Sequence, residues 1–215
     1  MYAFITGPLL WFAFIVFFAG SIYRIVEMLK LAKKDKVVYP YMNLKFGLRS
    51  ILHWIVPFAS RNMRLRPVMT LVTFAFHLCL IVTPIFLLGH VKFLEMAWGI
   101  GWWTLPGSVA DAMTLTVIGG SVFLLVRRLI VLEVSNVTYF ADHAFLLIVL
   151  LTFLTGFMAH HQMMPYKPLL TLHILSGEIM LIAVPLTRLS HMLYFFFSRA
   201  YMGSEFGFVR NSKDW

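Results

Sequence analysis

The chain contains little cysteine and little charge. Its 215 residues include one cysteine, Cys79, and only 13% are Asp, Glu, Lys or Arg. A single thiol excludes a disulfide within the chain and any iron–sulfur cluster held by cysteines of this chain alone. Acidic residues are especially scarce, with nine against eighteen Lys and Arg. Because 60% of the residues are hydrophobic as well, the composition favours a membrane protein with several spans over a soluble domain.

Five apolar runs each reach the roughly 20 residues that a membrane-spanning helix needs. The predicted spans are residues 4–26, 68–91, 108–132, 138–160 and 169–197. The first run has no basic stretch before it and no small-residue cleavage site, so we interpret it as a retained helix rather than a signal peptide. The sequence therefore predicts an all-α integral membrane protein with five spans in one domain, residues 1–215.

The basic residues predict an orientation in the membrane. Lys and Arg are concentrated in residues 27–67, at Arg127 and Arg128, and in the C-terminal tail, whereas the opposite loops carry only Lys92 and Lys167. By the positive-inside rule the N-terminus lies outside and the C-terminus lies in the cytoplasm, which agrees with an odd number of spans. The net charge of +9 then reflects membrane orientation and gives no reason to expect a nucleic-acid partner.

The predicted cytoplasmic loop, residues 27–67, contains an amphipathic and basic segment at residues 44–58. Two interpretations stay open for this segment. It lies along the membrane surface, or it forms a docking platform for a cytoplasmic partner. His53 falls within it and is interpreted as an interface residue.

Two histidines of the predicted fifth span, His173 and His191, are eighteen residues apart. On one ideal helix this spacing makes five whole turns, so both imidazoles would leave the same face about 27 Å apart. That distance is close to the ~30 Å hydrocarbon thickness of a bilayer. The spacing therefore predicts one histidine near each membrane surface, which suits a helix that holds two metal centres across the membrane.

The predicted second span supplies His77 and His90 as partners. Because the second and fifth spans run in opposite directions, His77 would pair with His191 on the cytoplasmic side and His90 with His173 on the outer side. Ligation of a b-type haem by two imidazoles needs this arrangement on facing helices, and the absence of a Cys-x-x-Cys-His motif excludes c-type attachment. The thirteen residues between His77 and His90 leave them about 140° apart on an ideal helix, and Pro84 is the position where the helix could be re-phased.

A competing pair is His143 and His161 of the fourth span, which are also eighteen residues apart, with His160 adjacent. Both lie near the ends of that span, beside Asp142 and Gln162. The simpler interpretation of these residues is that they are solvated side chains at the membrane interface.

The fifth predicted span carries a specific set of residues. They are His173, Gly177, Pro185, Thr187, Arg188, Leu189 and His191. This set resembles the gamma subunit of respiratory nitrate reductase, a five-helix membrane cytochrome b with two haems. Softer matches are the pairs Phe76-His77 and Gly89-His90, and the resemblance covers roughly residues 68–200.

The chain differs from that subunit in three respects. Its second-span histidines are thirteen residues apart rather than ten, its first cytoplasmic loop is longer and more basic, and the subunit's lysine near the outer haem has no clear counterpart. These differences make it more similar to the small cytochrome b subunits of transmembrane redox complexes of sulfate-reducing bacteria. Those complexes join a periplasmic multihaem cytochrome c, through membrane subunits, to a cytoplasmic iron–sulfur subunit.

The resemblance implies two haem b groups in an electron-transfer subunit of a respiratory oxidoreductase complex of the bacterial inner membrane. The outer-side electron donor is expected to be menaquinol or a periplasmic multihaem cytochrome c, and a cytoplasmic iron–sulfur subunit is the expected partner. An alternative is the quinol-oxidising anchor of a nitrate-reductase-type molybdoenzyme. An alternative of another class is a transporter or anchor without haem.

Further residues are expected to contribute to these sites. We expect Gly177 and Gly89 to leave room for a macrocycle beside His173 and His90, and Arg188 to pair with a haem propionate or to reach the lipid surface. Glu178 is the one acid well inside a predicted span, which favours a proton or quinone role, or else a structural hydrogen bond. The residues expected to complete a quinone site with it are Lys92, His160 and His161.

Overall fold

The protein is helical, and the computed structural model describes residues 2–213, among which no β-strand occurs. Five helices are long and apolar enough to cross a membrane, as expected of a multi-pass membrane protein. They are Tyr2–Ala32, Pro67–Phe86, Gly107–Ile130, Phe140–His160 and Tyr166–Leu186, which we number as spans one to five. The predicted all-α class with five apolar helices is therefore confirmed.

Shorter helices connect and follow these spans. They are Leu44–Ile55, Arg61–Leu65, Leu88–Trp98, Leu132–Ser135 and His191–Gly203. We call Leu44–Ile55 the loop helix and His191–Gly203 the C-terminal helix. Spans three and four begin and end within about two residues of the prediction, but spans two and five end much earlier than expected.

The second span ends at Phe86 instead of residue 91, and a new helix begins at Leu88. Pro84 has no N–H to donate to the carbonyl one turn earlier. Leu87 then adopts an extended backbone with φ −71° and ψ 129°, which interrupts the helix. The prediction that one helix carries both His77 and His90 is therefore wrong, because His90 belongs to the helix Leu88–Trp98.

The carbonyl groups at the end of the second span all have donors. The Leu87 N–H donates to the Thr83 carbonyl, and His90 Nδ1 donates to that of Pro84. The Trp102 indole N–H donates to the Ile85 carbonyl, and the Leu105 N–H donates to that of Phe86. Inside a bilayer an unpaired backbone carbonyl costs several kcal/mol, so an interrupted helix requires such substitutes. The outer loop and His90 thus stabilise the interruption.

The fifth span ends at Leu186 instead of residue 197, and this overturns the geometric argument for its histidines. Thr187 is extended, with φ −127° and ψ −171°, and a 3-10 turn over Arg188–Ser190 precedes the C-terminal helix. His191 is the first residue of that next helix. The prediction that His173 and His191 share one face of a single straight helix is therefore wrong.

Pro185 explains where the fifth span stops, because its missing N–H weakens the last turn. The first span packs closely on this proline, since a Cβ added to Gly20 would lie 2.9 Å from the Pro185 Cβ. Arg24 Nε donates to the Pro185 carbonyl at 2.9 Å, and the same guanidinium pairs with Glu27 at 3.2 Å. The first span therefore supplies a donor for a carbonyl exposed by the break.

The described chain divides into two compact units. One contains Ala3–Thr70 and residues 181–213, and the other contains Leu71–Met180 with Tyr2. The second unit has an apolar core shared by spans two, three and four. It consists of Phe76, Cys79, Val117, Leu146, Val149 and Phe153.

In the first unit, the loop helix packs against the C-terminal helix through small residues. A Cβ added to Gly47 would lie 3.2 Å from the Ala200 Cβ. A Cβ added to Gly203 would collide with the Phe46 carbonyl oxygen and would lie 2.6 Å from the Ser50 Cβ. The loop helix is therefore held by close backbone approach, which small residues allow.

Hydrogen bonds hold the same loop at two further points. The Asn43 side chain accepts from the N–H groups of Lys45 and Phe46 and so caps the loop helix. The Tyr201 hydroxyl donates a short hydrogen bond to the Asp35 carboxylate. Burial and this carboxylate raise the pKa of Tyr201 to about 12, whereas the tyrosine hydroxyl lowers the pKa of Asp35. The tyrosine therefore stays protonated as a donor at neutral pH.

We predict that Gly203→Ala destabilises the protein by about 1–3 kcal/mol, because the added methyl group would force the two helices apart. The thermal unfolding midpoint of the purified protein in detergent measures this loss. Gly7→Ala is the matched control, since nothing lies within 4 Å of a Cβ at Gly7. Equal midpoints for the two variants would contradict the close packing described above.

Candidate functional site

The predicted outer histidine pair comes together in the second unit. His90 lies on the helix Leu88–Trp98 and His173 on the fifth span. Their ring centroids are 6.0 Å apart and the ring planes are nearly parallel, at 7°. A metal bound by one nitrogen from each ring at about 2 Å would leave the nitrogens about 4 Å apart and the centroids about 6 Å apart. The centroid separation is therefore compatible with one metal ion that both imidazoles would bind.

The hydrogen bonds of both rings fix which nitrogen could bind a metal. His90 Nδ1 lies 2.8 Å from the Pro84 carbonyl oxygen, and His173 Nδ1 lies 3.1 Å from that of Thr152. A carbonyl only accepts, so each Nδ1 must carry the proton and each neutral ring keeps its lone pair on Nε2. Metal-ligating histidines usually make this second hydrogen bond, which orients the ring and raises its basicity.

The fourth span supplies the surroundings of His173. A Cβ added to Gly156 would lie 2.8 Å from His173 Cε1, so only glycine leaves room for the imidazole there. Thr152 Oγ1 donates to the Ser176 carbonyl at 3.1 Å and so ties the two spans together beside the histidine. The sequence alone assigns no role to Gly156, because it gives this residue only a helical position and no neighbour from another helix.

The predicted glycines beside the ligands leave open space. Apart from its own helical turn, no part of residues 2–213 lies within 4 Å of a Cβ built on Gly177 or on Gly89. Gly177 follows His173 by one helical turn, so the space lies on the side of the helix from which that imidazole projects. Gly177 is half-buried and Gly89 is exposed, and both positions leave room for a bulky group.

The predicted inner ligands show the same local hydrogen bond. His77 Nδ1 lies 2.8 Å from the Thr73 carbonyl oxygen, and His191 Nδ1 lies 2.9 Å from that of Arg188. His77 belongs to the second unit and His191 to the first, so their pairing stays a prediction. Arg188 is exposed and begins the 3-10 turn before His191, and its predicted propionate contact stays a prediction as well.

The residues predicted to form a quinone site have separate partners. Lys92 Nζ pairs with Glu95 at 2.6 Å, whereas His161 Nε2 lies 3.1 Å from the Asp111 carboxylate, and His160 is next to it. Glu178 is 2% exposed, and neither carboxyl oxygen has a hydrogen-bond partner within residues 2–213. An ionised carboxylate in such surroundings would be costly, so this side chain is expected to be neutral.

We predict that His90 and His173 carry their proton on Nδ1 in the purified protein before haem is added. Nitrogen NMR of the ¹⁵N-histidine-labelled chain measures the tautomer, and His90→Ala and His173→Ala assign the two signals. His161 is the internal comparison, since its hydrogen bond to Asp111 is made by Nε2. A proton on Nε2 of His90 and His173 would contradict the arrangement described here.

The chain has a close relative in Nitratidesulfovibrio vulgaris (strain Hildenborough). The two sequences are 37% identical over 215 residues, and the alignment covers 98% of this chain and 95% of the relative. The relative is named simply "Protein", so its name says nothing about what it does. No family model and no solved structure matches the chain.

Proposed function

We propose that this chain, which belongs to the same family as the Nitratidesulfovibrio vulgaris protein, is a dihaem b-type cytochrome subunit that carries electrons across a membrane. His90 and His173 would hold one haem, and His77 and His191 the other. The proposal extends the resemblance to nitrate reductase gamma subunits and to the cytochrome b subunits of transmembrane redox complexes. The chain would therefore act inside a larger respiratory complex of the bacterial inner membrane.

The observation that supports this proposal best is the parallel pair His90 and His173. A neutral imidazole has one donor nitrogen and one acceptor nitrogen. Here two imidazoles from different helices face each other at 6.0 Å, and each already donates its Nδ1 proton to a carbonyl. Each ring therefore keeps an Nε2 lone pair for a second partner, and one metal ion bound by both rings would supply it.

Haem b, when bound, supplies reversible one-electron oxidation and reduction at its iron. The chain's own residues would fix the axial ligands and keep water out. The Pro84 and Thr152 carbonyls hold the two rings in one orientation, and Gly156 lets His173 lie flat against the fourth span. The apolar core around Phe76 and Val117 lowers the local dielectric, which limits the energetic cost of reorganising water during electron transfer.

The positive-inside rule supports an N-terminus outside and a C-terminus in the cytoplasm. His90 and His173 would then lie near the outer surface, and His77 and His191 near the cytoplasm. The loop helix carries Lys45 and Arg49 and exposes Leu44, Leu48 and Leu52. A cytoplasmic iron–sulfur subunit would dock beside this basic, partly apolar surface and exchange electrons with the inner site.

A second candidate, quinol oxidation on the outer side, is favoured by Glu178. This carboxyl group is buried, has no partner in the described chain, and follows His173 by five residues on the fifth span. A neutral carboxylic acid in an apolar site can hold and pass on a proton at one of its oxygens. Menaquinol would then be the outer-side donor, in place of a periplasmic multihaem cytochrome c.

We predict two haem b per chain in the wild-type protein, measured by the pyridine haemochrome assay together with a reduced-minus-oxidised spectrum. Replacing His90 or His173 by Ala should leave one haem, because each removes an axial ligand of the same iron. Replacing His77 or His191 should also leave one.

His143→Ala is the matched control for these variants, since His143 lies in the fourth span and is not assigned as a ligand. It should retain both haems. A wild-type chain that binds no haem would overturn the proposed function and leave the transporter or anchor alternative. Loss of haem on changing His143, but not on changing His90, would move the ligands to the fourth span.

A further inference from the structure

A second group of metal-ligating side chains lies away from the His90–His173 pair. It consists of Asp111, His160 and His161, and one ligand atom from each lies within 4.8 Å of the other two. His161 Nε2 and an Asp111 oxygen are already 3.1 Å apart. Ligand atoms bound to one tetrahedral metal at about 2.0–2.1 Å are separated by about 3.4 Å. The spacing therefore matches one edge of a coordination polyhedron. Zn²⁺ would release to water the proton that His161 Nε2 shares with Asp111, and a small movement of His160 would complete a face.

The helices place these three residues together for a simple reason. Asp111 lies in the first turns of the third span, while His160 ends the fourth span and His161 caps it. The third and fourth spans pack along each other in opposite directions, so the start of one meets the end of the other. Gln162 follows with a left-handed backbone, φ +50°, which ends the helix directly after the two histidines.

We propose that Asp111, His160 and His161 form a binding site for a divalent transition metal of the Zn²⁺ type. Two imidazole nitrogens and one carboxylate oxygen favour zinc and its neighbours over Mg²⁺ or Ca²⁺, which prefer oxygen ligands alone. The carboxylate supplies the negative charge that two neutral imidazoles lack. The remaining coordination positions belong to water, because the His161 and Asp111 side chains are 39% and 32% exposed.

The site is distinct from the proposed haem ligands and does not depend on them. His161 uses Nε2 toward the carboxylate, whereas His90 and His173 use Nδ1 toward carbonyl groups. An open site with three protein ligands is the arrangement that keeps a position for an exchangeable ligand. A bound metal ion would also link the start of the third span to the end of the fourth span.

Zinc binding by the full-length chain tests the proposal. The protein is purified in detergent with a tag that contains no histidine, stripped with a chelator, and titrated with Zn²⁺ against a fluorescent competing chelator. We expect one Zn²⁺ per chain. His160→Ala, His161→Ala and Asp111→Asn should each weaken binding by about tenfold or more.

Two variants serve as matched controls, His143→Ala at the other end of the fourth span and Glu133→Gln beyond the third span. Both should bind Zn²⁺ as the wild type does. Asp111→Asn is nearly isosteric, so it decides the question if a histidine variant fails to fold, as judged by its size-exclusion profile. No stoichiometric binding, or equal affinity in Asp111→Asn and the wild type, would overturn the proposal, and the haem content would show separately whether the proposed function holds.

Discussion

The hydrogen bonds from His90 and His173 to two backbone carbonyls are the constraint on which the candidate site depends. Each bond uses the Nδ1 proton and thereby keeps the Nε2 lone pair of that ring available to a metal ion. In a low-dielectric membrane interior such bonds are stronger than in water, and leaving either group unpaired is costly. The two rings are thus held about 6 Å apart by the backbone itself.

The interruptions of the helices explain why some backbone carbonyls can accept a hydrogen bond from a histidine. Inside a regular helix a carbonyl already accepts from a backbone N–H, so His173 shares the Thr152 carbonyl and His77 shares that of Thr73. The break after Pro84 leaves the carbonyl of that residue to His90, and the 3-10 turn after Thr187 places the Arg188 carbonyl next to His191. Pro84 precedes His90 and Pro185 precedes His191 by a short stretch of chain. Each break in a helix therefore also provides the carbonyl that orients the histidine after it.

The five spans were predictable because their length and apolar composition exceed what any soluble helix needs. The helix ends at Phe86 and Leu186 were not, because membrane helices often continue through proline when neighbours supply the missing hydrogen bonds. His90 and His173 do lie together as predicted, but the ideal helices that justified their spacing are both interrupted, and their role as haem ligands stays a prediction.

Other parts of the site could not be read from sequence. Gly156 and the Thr152 carbonyl matter through their position beside His173, and nothing in a helical apolar run distinguishes them from their neighbours. Asp111 lies close to His160 and His161 because the start of the third span meets the end of the fourth span. These residues are far apart in the sequence, so the sequence alone does not show that they are neighbours. The predicted pairing of His77 with His191 stays a prediction.

The most direct test of the central claim is low-temperature EPR of the oxidised, haem-loaded chain, compared with His173→Ala. Two imidazole ligands would give low-spin ferric iron, so the haem held by His90 and His173 should contribute a low-spin signal that the variant loses, while the signal of the proposed His77–His191 haem remains. A high-spin signal in the wild type, or a low-spin signal of undiminished intensity in His173→Ala, would contradict the claim that these two histidines bind one iron.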